Sequence, residues 1–173
     1  MEPSTQQRFE RVMLPHLDAA YVLARFLVRD PHDAEDLVHD AYLRALRHFE
    51  SFRGGDGRGW LLTIVRRTCY TWLSRRRSLP QVTSYQDDEH GVYDGPGPDA
   101  LAVQRAQRDQ LLQAVERLPV EFREAVVLRD LQGLSYQEIA EVLDVPVGTV
   151  MSRLARGRMR LQAVLPVEDF LRS

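Results

Sequence analysis

Two sets of side chains in this sequence have the types and spacing for chemistry on nucleic acid. The first lies in residues 145–167, a stretch without a single acid. Thr149, Ser152, Arg153, Arg156 and Arg160 recur there at helical spacing. Hydroxyl and guanidinium donors in this arrangement suit phosphates and base edges. The second set lies in residues 58–86, which hold six arginines and again no acid. On a helical wheel, Thr63, Arg66, Arg67, Tyr70, Ser74 and Arg77 share one face, opposite Trp60, Leu61, Ile64, Val65, Thr68 and Trp72. Guanidinium groups hold phosphates, and an aromatic ring among them offers a platform for an unstacked base. That combination suits single-stranded or melted DNA.

Other clusters point to no reaction. His32, Glu35, Asp36 and His39 fall on one helix, but no cysteine or further histidine pattern completes a metal site, and none is expected. No nucleophile sits with its base, and no Walker loop or Rossmann fingerprint occurs. The sequence reads as a binding protein without a cofactor rather than an enzyme. Cys69, the single cysteine, excludes an intrachain disulfide, fits a reducing compartment, and lies near the apolar face of its helix as a small buried hydrophobe.

The elements that position the first set are a helix, a tight turn and a second helix. Ser135 and Glu138 have the spacing of a capping box. Ile139, Ala140 and Leu143 then form an apolar face. Asp144 stands where the chain must reverse and tolerates a left-handed conformation. Pro146 suits the first turn of the next helix. Val147, Val150, Leu154 and Leu161 make its buried stripe, and the small Gly148 and Ala155 allow close approach to DNA. This is the arrangement that lays one helix in a major groove.

The rest of the chain reads as helical. An amphipathic helix carries Phe9, Val12, Met13, Leu17, Ala20, Ala24, Leu27 and Val28, interrupted at Pro15. Asp30-Pro31 caps another, burying Ala34, Leu37, Val38, Ala41, Ala45 and Phe49. Four glycines make residues 50–59 a loop. A third helix begins at Trp60. Leu111, Leu112, Val115 and Leu118 mark a helix ended by Pro119, and Phe122, Ala125, Val126 and Leu128 one stopped by Gly133. No strand signal appears. The 173 residues therefore divide into two small all-α domains, 1–77 and 101–173, joined by a flexible acidic linker over 78–100 that contains Asp87, Asp88, Glu89, Asp94 and Asp99. The net charge of −2 gives no hint of nucleic acid, but the segregation of bases from acids does. No apolar run reaches the roughly 20 residues of a membrane span, and the N-terminus lacks a signal peptide's layout.

Taken together the two halves resemble the extracytoplasmic-function group of bacterial sigma factors. The first is similar to sigma region 2 through Asp33-Ala34-Glu35-Asp36-Leu37-Val38, Phe49-Glu50-Ser51-Phe52-Arg53-Gly54 and Trp60-Leu61-Leu62-Thr63-Ile64-Val65-Arg66. The second is similar to region 4 through Leu118-Pro119, Phe122-Arg123, Gly133-Leu134-Ser135-Tyr136, Glu138-Ile139-Ala140 and Pro146-Val147-Gly148-Thr149-Val150. The resemblance covers residues 9–165. It departs at Met151, where the family often has a basic residue, and at Arg67, where it often has asparagine.

The resemblance implies a transcription-initiation factor. Glu35, Asp36 and Asp40 would dock on the β′ clamp of core RNA polymerase. Residues 50–59 with Phe52 and Arg53, and then Arg66, Arg67, Tyr70 and Arg77, would capture the non-template strand of the −10 element and promote melting. Thr149, Ser152, Arg153, Arg156 and Arg160 would read the −35 duplex. Region 4 would also grip the β flap, the linker acids would thread toward the active-site cleft, and an anti-sigma factor would be a further partner. The implied location is the bacterial cytoplasm, without membrane insertion. Two other readings account for parts of the chain: a stand-alone helix-turn-helix regulator, which leaves the arginine and aromatic helix unexplained, and a sigma mimic that sequesters an anti-sigma factor, which has no need of the groove-reading residues.

Overall fold

A computed structural model describes residues 1–77 and 100–165. Apart from Ala100, the expected linker lies outside the described residues. The described residues form helices and their connections, as the periodicity predicts.

Helix α1 (Thr5–Met13) starts four residues before Phe9 because Ser4 and Gln7 form a capping box, with Ser4 Oγ accepting from Gln7 N–H at 3.2 Å and Gln7 Oε1 from Ser4 N–H at 2.9 Å. Pro15 divides the expected single helix. A 3-10 turn, Leu14–His16, carries the chain into α2 (Leu17–Val28). Leu17, expected inside, is 46% exposed because it opens α2 at that break. Asp30 caps α3 (Pro31–Arg47) as its sequence predicts, accepting from the N–H groups of His32 (2.8 Å) and Asp33 (3.0 Å). The Asp33 donor is the main reason that the Asp30 carboxyl lies below the usual range. After a short turn at Phe49–Ser51, α4 (Arg58–Arg77) begins two residues earlier than Trp60, since Asp56 Oδ1 accepts the Arg58 N–H at 3.0 Å. Helices α2, α3 and α4 pack against one another. The buried side of α4 takes in Leu61, Leu62, Val65, Thr68 and Cys69, whereas Ile64 and Trp72 are only half-buried.

The second half begins with α5 (Ala100–Glu116), which buries Leu111 and Val115. Helix α6 (Val120–Val126) follows Pro119 and widens into a π-helical turn at Val127–Leu131. Gly133 then reverses the chain at φ +71°. Helices α7 (Tyr136–Leu143) and α8 (Val147–Val164) complete it, with α8 packed on both α6 and α7.

The halves do not stand apart. Helix α4 lies along α7, and α2 along α6. Hydrogen bonds cross between them from Arg29 Nη2 to the Glu116 carbonyl (3.0 Å), from Gln132 Nε2 to the Ala19 carbonyl (2.8 Å), and from Arg58 to the Gln132 carbonyl and Glu138 (both 3.3 Å). Among the described residues no helix is long and apolar enough to cross a membrane.

Candidate nucleic-acid interface

The helix-turn-helix forms as its sequence dictates. Ser135 Oγ accepts from Glu138 N–H (3.1 Å) while Glu138 Oε1 accepts from Ser135 N–H (3.0 Å), so two orphan donors are satisfied at the start of α7. The Ser135 backbone bond is the main reason that the Glu138 carboxyl is held below its usual range. Asp144 takes the left-handed conformation, φ 55° and ψ 51°, and returns its N–H to the Ala140 carbonyl. Pro146 is the residue before the first turn of α8 rather than within it. Val150, Leu154 and Leu161 face inward with Gly157, and Val147 is half-buried.

The outward face of α8 exposes three of the expected side chains, Ser152, Arg156 and Arg160, while Thr149 and Arg153 are half-buried on its flank. Arg160 lies with its guanidinium 5.2 Å from the centre of the Phe122 ring, turned toward α6. The face between them is Gly148, Ser152, Ala155 and Met159, bordered by Met151 and Arg156; Met151 is 54% exposed and Met159 67%. Arg158 is committed elsewhere, forming a two-point pair with Asp130 (Nη2–Oδ1 2.6 Å, Nε–Oδ2 3.1 Å) that raises its proton affinity.

The approach to α4 is a tight loop. Gly57 has φ +78°, and a Cβ there would meet Val12 Cγ1 at 2.9 Å and Met13 Cε at 3.0 Å, so glycine is required both for backbone and for space. Phe52 stacks on Phe49 (5.7 Å between centres, 16° between planes) and leans on Trp60 (5.3 Å), which fixes the loop to the core. Arg53 stands exposed beyond it.

The expected basic stripe on α4 is not one open surface. Arg67, Ser74 and Arg77 are exposed. Arg66 and Tyr70 are covered by α6: Arg66 Nε lies 3.2 Å from Glu124 Oε2, and the Tyr70 hydroxyl donates to Glu124 Oε1. The Arg66 guanidinium also lies 4.4 Å from the centre of the Tyr70 ring. Thr63 turns its hydroxyl back onto the Gly59 carbonyl at 2.8 Å. Burial is the main force on both groups of the node, raising the proton affinity of Glu124 and of the Tyr70 phenol.

On α3, Glu35 and Asp36 are exposed, and Asp40 pairs with Arg44 at 3.2 Å. The helix is tied to α4 by Arg76, which reaches Asp33 at 3.6 Å and lies 5.0 Å from the centre of the Trp72 ring. Among the described residues no group of three His, Cys, Asp or Glu side chains is arranged to hold a metal ion. Sequence reasoning missed Arg58, Arg123, Glu124, Asp130 and Gln132. One signal was present: Arg123 and Glu124 are charged residues within the spacing of a buried helix, beside Phe122, Ala125 and Val126.

Comparison with known proteins matches the chain to a family. Residues 13–79 match Sigma-70 region 2, and residues 108–161 match Sigma-70, region 4. The chain is 34% identical over 157 residues to the ECF RNA polymerase sigma factor SigE of Mycolicibacterium smegmatis, covering 91% of this chain and 61% of that protein. It is 34% identical over 134 residues to the ECF RNA polymerase sigma-E factor of Escherichia coli K12, covering 73% of this chain and 70% of the relative. Among solved structures it is similar to the sigma factor RpoE of Bartonella quintana in complex with the anti-sigma factor NepR, with a TM-score of 0.71 and 27% identity over 94% of this chain and 99% of that one. With both regions present in this order, and relatives matched at this identity over most of the chain, the protein belongs to the extracytoplasmic-function (ECF) sigma factors of RNA polymerase.

Proposed function

We propose that this chain binds core RNA polymerase, brings it to a dedicated set of promoters, and helps to open the DNA. In this reading residues 1–77 act as the region 2 unit, 78–100 as the connecting segment and 101–173 as the region 4 unit. Glu35, Asp36 and Asp40 dock on the β′ clamp, and region 4 holds the β flap. Helix α8 enters the major groove at the −35 element, with Ser152 and Arg156 foremost and Thr149, Arg153 and Arg160 on the flank. Phe52, Arg53, Arg66, Arg67, Tyr70 and Arg77 receive the unpaired −10 strand. Opening costs a few kcal/mol per extruded base, which contacts to base and phosphate offset. Two weak sites on one chain gain by effective concentration, so neither needs high affinity alone. The chain works in the bacterial cytoplasm, needs no cofactor, does no catalysis of its own, and is held in check by an anti-sigma factor.

The observation that carries this reading is the presence on one chain of α8, with Ser152 and Arg156 exposed on a capped helix-turn-helix, and of α4, which carries Arg66, Arg67, Tyr70 and Arg77. Selection from a random duplex pool tests it. With core polymerase present, the chain should enrich DNA carrying two separated sequence blocks, and without polymerase it should enrich none. Enrichment of a single palindromic site by the chain alone would instead mark a stand-alone dimeric regulator.

A further inference from the structure

The loop between Phe52 and α4 is held at both ends and open in the middle. At one end Phe52 packs on Phe49 and Trp60. At the other, the half-buried His16 directs Nε2 to the Asp56 carbonyl at 2.5 Å, across 40 residues of sequence. A carbonyl only accepts, so Nε2 carries the proton and donates it. Between these anchors Arg53, Gly54 and Gly55 are exposed. The two glycines take φ +99° and +90°, with nothing within 4 Å of where a Cβ would stand.

His16 is itself fixed in place. It closes the 3-10 turn that Pro15 imposes between α1 and α2, and it gives α2 no side-chain cap. At the same break the Tyr42 hydroxyl of α3 donates to the Met13 carbonyl at 2.7 Å. The buried Gly57, next to Asp56, seats against the side chains of Val12 and Met13. Its carbonyl accepts the Leu61 N–H at 2.9 Å, and the Asp56 carboxylate accepts the Arg58 N–H at 3.0 Å, so α4 starts from the same point. A glycine-rich segment loses much chain entropy when it is ordered. A loop that selects a base therefore gains from an end already held.

We propose that His16, which lies outside both the loop and the arginine and aromatic helix, is a positioning residue that sets which base the loop accepts at the −10 element. This rests on the assignment of Phe52 and Arg53 to the unpaired strand made above. The ring is not itself a reader. It acts through the Asp56 carbonyl, fixing where the open turn at Gly54 and Gly55 stands when a base is presented to it. Loss of that bond leaves the turn free to meet other bases, so discrimination falls while the rest of the promoter is read as before.

The test uses the full chain on core RNA polymerase, with His16→Ala, which removes the donor, and His16→Gln, whose amide N–H keeps one. Each holoenzyme transcribes two promoter libraries, one randomised over the −10 block with the −35 block constant and the other the reverse, and the transcripts are sequenced. In His16→Ala the ratio of preferred to next-best base within the −10 block should fall by about three- to tenfold, the worth of one hydrogen bond. The −35 profile should match that of the wild type, and His16→Gln should keep more of the −10 preference than His16→Ala. A residue that only stabilises the fold would lower transcript yield from both libraries and leave both profiles unchanged. That result, or equal flattening of the two profiles, would overturn the proposal. Failure of the underlying assignment shows separately, as a wild-type profile already flat over the −10 block.

Discussion

Arg123 Nη1 donates a 2.6 Å hydrogen bond to the carbonyl of Phe26, joining α6 to the end of α2 across 97 residues of sequence. The same guanidinium holds the Leu118 carbonyl through Nε (3.2 Å) and Nη2 (3.1 Å), where α5 turns into α6. A single buried cation thus fixes both the corner of region 4 and its seat on region 2. Burial lowers its proton affinity, and the carbonyls it binds are part of its compensation.

Replacing it tests that role. Arg123→Met keeps much of the volume and loses every one of these bonds. Stability should fall by about 2–3 kcal/mol, on the scale of hydrogen bonds to a charged group. A urea titration followed by circular dichroism checks this, and an unchanged midpoint would mean that the bonds carry no net stability.

Gly157 and Gly148 lie on one helix and should respond oppositely to alanine. At Gly157 a Cβ would meet Val126 Cγ2 at 2.9 Å and the Phe122 carbonyl oxygen at 3.5 Å, because α6 and α8 touch there. Gly157→Ala should cost about 1–3 kcal/mol through overpacking. At Gly148 nothing lies within 4 Å, so Gly148→Ala should leave the melting temperature equal or slightly higher. Thermal melts of the two variants decide it. On the proposed reading Gly148→Ala would still weaken −35 binding, since it fills the outward face of α8.

Alkaline pH should destabilise the fold. The Cys69 thiol is fully buried, and burial pushes its pKa up to about 12 from an ordinary 9.0. Burial likewise pushes the Tyr42 phenol up to about 12 from 10.0. Both acids ionise more easily in the unfolded chain, so the stability present below about pH 9 is lost as pH rises toward 12. The urea midpoint should fall steadily over that window. At pH 8 the native thiol should resist iodoacetamide and react once the chain is unfolded. Rapid alkylation of the native chain would contradict its placement.

Arg156 is the exposed arginine of α8 best placed for a base. On the proposed reading, Arg156→Ala should lose about 1–3 kcal/mol of discrimination at one −35 position, if it makes a two-point contact, while weakening other positions little. Competition between promoter variants on the polymerase holoenzyme measures this. A uniform loss across all variants would make Arg156 a phosphate contact instead.

The parts of this molecule legible in sequence are those set by neighbours along the chain. The Ser135–Glu138 cap, the left-handed Asp144 and the Asp30 cap each depend on atoms three or four residues away, so residue types suffice. The face of α8 was harder. Arginines read as free cations, but Arg158 belongs to Asp130 and Arg160 lies on Phe122, and those partners come from α6 and the turn after it. The exposed Met159 carries no polar signal, so residue type alone does not place it on that face. Least legible was the cover over Arg66 and Tyr70. Glu124 is 58 residues from Arg66, and nothing local to α4 announces an acid waiting on the other half.

Run-off transcription tests the central claim most directly. Purified core RNA polymerase, this chain and a library of bacterial promoter fragments are combined, and transcript starts are sequenced. Discrete starts that appear only with the chain present, each preceded by a shared pair of sequence blocks, are the predicted result. Core polymerase that binds no chain, or that starts at the same sites with and without it, would contradict the account.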